Sequence, residues 1–250
     1  MPAPAIALVH ALEERSFNAW PARQAVLHGG WQLRLSGGFT KRANSANAIA
    51  PGAAFDGLRT AAEAFYARHG LPAIFRITPL APPQADDELM AAGYTLFDPS
   101  LVLRAPLDGA ARHPAMEIAS TPSAAWLDGF AAANGVALQH QALHHTMVQS
   151  IALPAGFATL RLQGEPVAFG LAVLERDAIG LYDLVVTPAQ RGQGHGRTLV
   201  QALLHWGQQA GASWAYLQVR EQNTVARALY AALGFVPCYG YHYRLPPAIA

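Results

Sequence analysis

Between Val186 and Thr198 the chain reads VTPAQRGQGHGRT, and three of the five residues from Gly192 to Gly196 (Gly192, Gln193, Gly194, His195, Gly196) lack side chains. An apolar run, IGLYDLVV, leads into this segment, and an amphipathic run, TLVQALLHWGQQA, leads out of it. A strand that passes through Pro188 into glycines and then into a helix N-terminus builds an anion site. Side-chain-free residues let backbone N–H groups approach a phosphate, and the helix dipole adds a favourable field. Arg191 and Arg197 flank the loop, and either guanidinium suits bidentate contact with a pyrophosphate. Two nucleotide patterns do not fit. The Walker loop closes in GK[ST], whereas Gly196 is followed by Arg197 and Thr198. The dinucleotide pattern G-x-G-x-x-G needs its third glycine where Arg197 stands.

Other chemistry-bearing residues lie on predicted helices. VREQNTVARALYAALGF carries Asn223 and Tyr230, seven residues apart. On a helix that is nearly two turns, about 20° apart in angle and roughly 10 Å along the axis. The pattern predicts a buried stripe of Ala226, Leu229 and Leu233, with Asn223 and Tyr230 at its edge. LQHQALHHTM offers His140, His144 and His145. His140 and His144 have the i,i+4 spacing of a metal pair, but no cysteine or carboxylate joins them at ligand spacing, so no metal is expected. A solvated helix face is the plainer reading of these histidines, and an exposed loop tip that of His195.

The elements that must position these residues form an α/β pattern. In the second half we read a strand MEIAS, helices over Ser123–Asn134 and Leu138–Ile151, and a strand from Gly156 to Leu162. After a QGEP turn come strands VAFGLAVLE and IGLYDLVV. After the glycine loop come a helix to Ala210, a strand to Val219, a helix to Leu233 and a last strand. Leu199, Val200, Leu203 and Leu204 share one face of the helix that follows the loop, as on a sheet-covering helix. The stretch Leu103 to Ile118, rich in Pro, Gly and Ala, reads as a linker between residues 1–108 and 114–250. The two halves echo each other. One and the same interval separates Gly70 from Gly211 and Gly93 from Gly234, and each of the four stands where a helix needs a left-handed residue before a strand. The first half lacks the R-G-x-G-x-G loop, and its densest polar stretch, SGGFTKRANSAN, reads as a capping loop before a Phe55–His69 helix or as a lid.

Composition narrows the classes. With 250 residues the chain can hold one large domain or two small ones, and its net charge of +1 gives no drive towards nucleic acid or acidic membranes. One cysteine, Cys238, excludes an intrachain disulfide. No apolar run reaches the ~18 residues of a membrane span, and the N-terminus makes a poor signal peptide. The expectation is a soluble, cytoplasmic protein.

The pattern V-x-P-x-x-R-G-x-G-x-G, carried by Val186, Pro188, Arg191, Gly192, Gly194 and Gly196, resembles the acetyl-CoA pyrophosphate loop of the GNAT N-acetyltransferase superfamily. The segment from Asn223 through Ala226 and Tyr230 to Gly234 and Phe235 is similar to that family's second cofactor motif. The resemblance covers about residues 117–245. The resemblance implies a mixed central β-sheet flanked by helices, in tandem, with a degenerate GNAT-like first half. It implies an acetyl group moved from acetyl-CoA to a small or peptide amine without a metal, and leaves a homodimer open. Tyr230 would protonate the departing thiolate, and Asn223 would bond near the pantetheine arm. Asp183 is the candidate to receive the amine proton, against an ordinary strand-end role. Backbone around Leu184, Val185 and Val186 would supply oxyanion donors, and a histidine of LQHQALHHTM could line the acceptor pocket. A non-catalytic acyl-CoA-binding or sensing module is the alternative.

Overall fold

The computed structural model describes residues 4–107 and 116–247. In chain order the elements of the first half are α1 (Ile6–Ala19), β1 (Gln24–His28), β2 (Trp31–Leu35), β3 (Ala46–Ala48), α2 (Leu58–Ala67), β4 (Phe75–Ile77), α3 (Pro83–Ala91) and β5 (Thr95–Pro106). Then follow β6 (Met116–Ala119), α4 (Ala124–Asn134), α5 (Leu138–Gln149), β7 (Ala155–Leu162), β8 (Glu165–Glu175) and β9 (Ala178–Val186). The chain ends with α6 (His195–Gln209), β10 (Trp214–Arg220), α7 (Thr224–Ala231) and β11 (Val236–Leu245). The class is α/β, mixed sheet with flanking helices, as the sequence implies.

The chain packs as two compact units. One comprises Met1–Val102, Val219–Asn223 and Pro237–Ala250; the other comprises Leu103–Gln218 and Thr224–Val236. In the first unit the strand order is β1-β2-β3-β4-β11-β5. The β3·β4 pair is parallel, while β1·β2, β2·β3 and β4·β11 are antiparallel. Its interior holds a charged group. Arg76 is fully buried and donates to both carboxylate oxygens of Glu13, and the Tyr239 hydroxyl donates to Oε1 at 2.6 Å. The Tyr241 ring covers the guanidinium at 3.9 Å. A buried ion needs partners in place of water; Glu13 pairs with the two terminal nitrogens, while Arg76 Nε is buried without a hydrogen bond.

The second unit runs from the end of β5 through β10-β9-β8-β7-β6. Strands β6 to β9 are antiparallel neighbours, and β9·β10 is parallel. Successive side chains of a strand point to opposite faces. A Cβ on Gly129 of α4 would overlap the Phe169 ring, while the space beside Gly170 holds Leu199 and Leu203 of α6. Thus α4 covers one face of this sheet and α6 the other. The core stripe of α6 includes Leu199, Val200, Leu203 and Leu204, all buried, as their spacing predicts.

The repeat has structural form. The interval between the paired glycines also separates Pro83 from Thr224, the first residues of α3 and α7, and Thr95 from Val236, those of β5 and β11. Gly70, Gly93, Gly211 and Gly234 all have positive φ. Each ends its helix with the same two bonds, such as Gly70 N–H to Ala67 O and Leu71 N–H to Tyr66 O, matched by Gly234 to Ala231 and Phe235 to Tyr230.

Two boundaries differ from expectation. Leu103–Pro106 completes β5 and Met116–Ile118 opens β6, so these ends of the expected linker are strand; its middle, 108–115, lies outside the described residues. Leu103 and Ala105 are buried while Arg104 is exposed, an alternation that Arg and Pro obscure in the sequence. The helix expected over Phe55–His69 begins at Leu58, and the buried Phe55 ring instead meets Trp31 and Phe75 at 5.7 and 5.9 Å.

Candidate active site

Strand β9 carries a local irregularity where the candidate residues lie. Leu171 of β8 pairs with Tyr182, but Phe169 pairs with Val185, so Asp183 and Leu184 together oppose the single residue Gly170. This is a β-bulge, and Asp183 has φ +47°, unusual for a residue with a side chain. Gly170 makes room for it: a Cβ there would lie 2.9 Å from Leu184 Cδ2. Leu184 and Val186 are half-buried and Val185 is buried.

The bulge aims the Asp183 carboxylate at α5. His144 Nε2 lies 2.7 Å from Asp183 Oδ2. An ionised carboxylate can only accept, so Nε2 carries the proton and donates it. His144 is fully buried, its ring stacked on Phe130 (centroids 4.7 Å apart, planes at 25°) and near-parallel to Trp126 at 6.5 Å. The expectation of a solvated histidine face therefore fails at His144, although His140 and His145 are half-buried. His144 shares i, i+3, i+4 spacing with buried Met147 and Val148, the one sequence signal that separates it from its neighbours. Nothing in the sequence joins it to Asp183, which lies on a distant strand.

From β9 the chain passes through a single 3-10 turn, Pro188–Gln190, into the glycine loop and α6. Gly192 and Gly194 have φ +76° and +85°, conformations that side chains strain, and a Cβ at either would point into open space. Gly196 has no such φ, and a Cβ there would only touch Leu229 and Val186 at 3.6 and 3.8 Å. Packing does not demand its bareness. The first amides of α6 lack intrahelical partners by geometry. Arg197 and Thr198 N–H donate to Gly194 O at 3.0 and 3.2 Å, while no backbone bond among the described residues uses the amides of Gly192 to Gly196. The loop is braced from outside. Arg191 Nε donates to Val186 O at 3.1 Å, and Gln193 Nε2 to Ala189 O at 3.4 Å. Arg191 and Arg197 are exposed. His195 departs from its expected exposure: it is half-buried, and its Nε2 is buried without a hydrogen bond. As the first residue of α6, its ring folds onto the protein.

Tyr230 of α7 is buried, 8% exposed, with Phe235 at 5.8 Å between ring centroids. Burial pushes its phenol up to about 12, so the proton stays on at neutral pH. The stripe expected beside it is reversed in depth: Ala226, Leu229 and Leu233 are half-buried and Tyr230 is the buried residue. Asn223 is exposed and immediately precedes α7. No group of three or more His, Cys, Asp or Glu among the described residues could hold a metal ion. No helix among them is long and apolar enough to cross a membrane.

Known proteins match this chain over its length. The family model described as "Probable histone acetyltransferase Rv0428c C-terminal" matches residues 7–244. The protein named "Uncharacterized N-acetyltransferase YobR" of Bacillus subtilis (strain 168) is 28% identical over 245 residues, 95% of this chain and 98% of that protein. Ribosomal protein bS18-alanine N-acetyltransferase of Haemophilus ducreyi is 37% identical over 73 residues, 29% of this chain and 50% of that protein. Among solved structures, a GCN5-related N-acetyltransferase from Kribbella flavida gives a TM-score of 0.71 at 19% identity, over 98% of both chains. A tandem GNAT protein from the clavulanic acid biosynthesis pathway gives 0.60 at 14%, over 97% of this chain and 89% of that one. At these identities the structures speak for the fold, and the family model and YobR for the kinship. The chain belongs to the family described as Probable histone acetyltransferase Rv0428c C-terminal, within the GNAT superfamily, and is an acetyltransferase.

Proposed function

We propose that the enzyme moves an acetyl group from acetyl-CoA to a primary amine by direct attack, using residues 114–250, while residues 1–108 hold no donor of their own. The observation that carries this reading is one continuous piece of chain. Bulged strand β9, with Asp183 at positive φ, runs into two positive-φ glycines and the open N-terminus of α6. The amides of Gly192 to Gly196 would face the pyrophosphate, with the Arg191 and Arg197 side chains beside it. Asn223 would bond near the pantetheine arm.

An ammonium with pKa ~10.4 is free amine in only about one molecule in a few thousand at neutral pH. As the amine nitrogen bonds to the thioester carbonyl carbon, Asp183 takes the nitrogen's proton, directly or through water. The backbone at Leu184 to Val186, beyond Leu181, the last β9 residue paired with β10, faces the developing oxyanion. When the carbon–sulfur bond breaks, Tyr230 gives its proton to the departing thiolate. Burial keeps that phenol protonated, so it has a proton to give. The acceptor is a small amine or a peptide amine; the relatives named as bS18-alanine N-acetyltransferases favour the second.

Thiol release from acetyl-CoA across a panel of primary amines and peptides tests the reaction. Calorimetry on Gly194→Glu tests the donor site. The wild type should bind acetyl-CoA, and the variant should not, because strain and a carboxylate both oppose a phosphate there. Unchanged affinity would remove the glycine loop from the account.

A further inference from the structure

We infer that His144 is a positioning residue for the transfer, and that Asp183 and His144 act as one unit; this rests on the reading of Asp183 as the proton acceptor. Three observations carry it. First, Asp183 leaves the ordinary strand geometry, at φ +47° in a bulge, so the ladder alone does not set its carboxylate direction. Second, His144 Nε2 occupies one oxygen, Oδ2, at 2.7 Å; no hydrogen bond to Oδ1 appears among the described residues, and the side chain keeps 12% exposure. One oxygen is thus anchored inward and the other is left for the acceptor. Third, the ring that holds it cannot turn freely, because it is fully buried and stacked on Phe130 within reach of Trp126.

The chemistry follows from the donor. The Nε2–H of His144 holds the Asp183 carboxylate oriented, and so ready to accept. The proton leaving the amine goes to Oδ1, and the Nε2 proton stays where it is. An apolar ring at position 144 would preserve the stack and lose the anchor. The carboxylate could then turn within its bulge, and misplacement by about 1 Å can cost on the order of 10²-fold in rate.

The test is a double-mutant cycle in the full chain, using the best amine from the panel. Asp183→Asn should lower kcat at least tenfold. His144→Phe should lower kcat by tenfold to a hundredfold with little change in the KM for acetyl-CoA. His144→Gln, which keeps an N–H donor, should stay within about threefold of wild type. In the Asp183→Asn background, His144→Phe should cost no further kcat, since its effect passes through the carboxylate. Should His144→Phe fail to fold, His144→Met takes its place in the same cycle. Full kcat in His144→Phe with a crippled Asp183→Asn would overturn the positioning role alone. Equal loss from His144→Phe in both backgrounds would do the same, because a structural role acts regardless of Asp183. Full activity in Asp183→Asn would overturn the proton-acceptor reading beneath it.

Discussion

Gly170 of β8 and Leu184 of β9 compete for the same space: a Cβ on the first would stand 2.9 Å from Cδ2 of the second. Leu203 Cδ1 lies at 2.9 Å and Leu199 Cδ2 at 3.2 Å from the same point. The bare position lets two residues of β9 oppose one of β8, which puts Asp183 into its bulge. Gly170→Ala should therefore destabilise the protein by about 1–3 kcal/mol, the scale of overpacking, and Gly170→Val by more. Calorimetric melting checks this. An unchanged Tm in both variants would mean that the leucines yield without cost.

The second unit's bulge, its loop and the Schellman bonds differ in how far the sequence exposes them. The four glycines that end α2, α3, α6 and α7 are legible because only a left-handed residue closes a helix this way. The loop is legible because glycines before an amphipathic run have few other uses. The His144–Asp183 contact is not legible, because it joins α5 to β9 and depends on a bulge. Gly170 inside the apolar run VAFGLAVLE is the available hint of that bulge. Burial also misleads at the small scale. The sequence puts Tyr230 at the edge of a stripe whose other members are more exposed than it is, because α7 is a two-turn helix entered directly from Asn223. In the first half, α1 and β1 to β3 carry no motif and weak periodicity, so the echo is visible only from α2 onward.

In the first unit, Asp86 at the start of α3 receives Arg244 Nε and one terminal nitrogen at 2.7 and 2.9 Å, with His242 Nε2 at 2.7 Å. The Arg244 hydrogen bonds hold its carboxyl below the usual range. A carboxyl lowered in the folded state stabilises above its unfolded value, ~3.9, and that contribution fades as pH falls through the folded value. Asp86→Asn should cost about 1.5–3 kcal/mol at pH 7. Its Tm deficit should shrink as pH falls below about 4, where the carboxyl takes up its proton. A deficit that instead grows over that acid range would reverse the assignment.

Because the first half lacks the loop, acetyl-CoA should bind at one site per chain. Calorimetric stoichiometry reads this directly. Two sites per chain would give the first half a donor pocket of its own.

The central claim is transfer with the Tyr230 hydroxyl as the acid, and Tyr230→Phe tests it most directly. The substitution keeps the ring and its contact with Phe235, and removes the hydroxyl with the proton it could give. With the best acceptor from the panel, kcat should fall by on the order of 10²-fold, the scale of general acid catalysis. The Kd for acetyl-CoA and the Tm should hardly move, since nearly all buried surface remains. Full kcat in Tyr230→Phe, with acetyl-CoA still bound, would contradict the account.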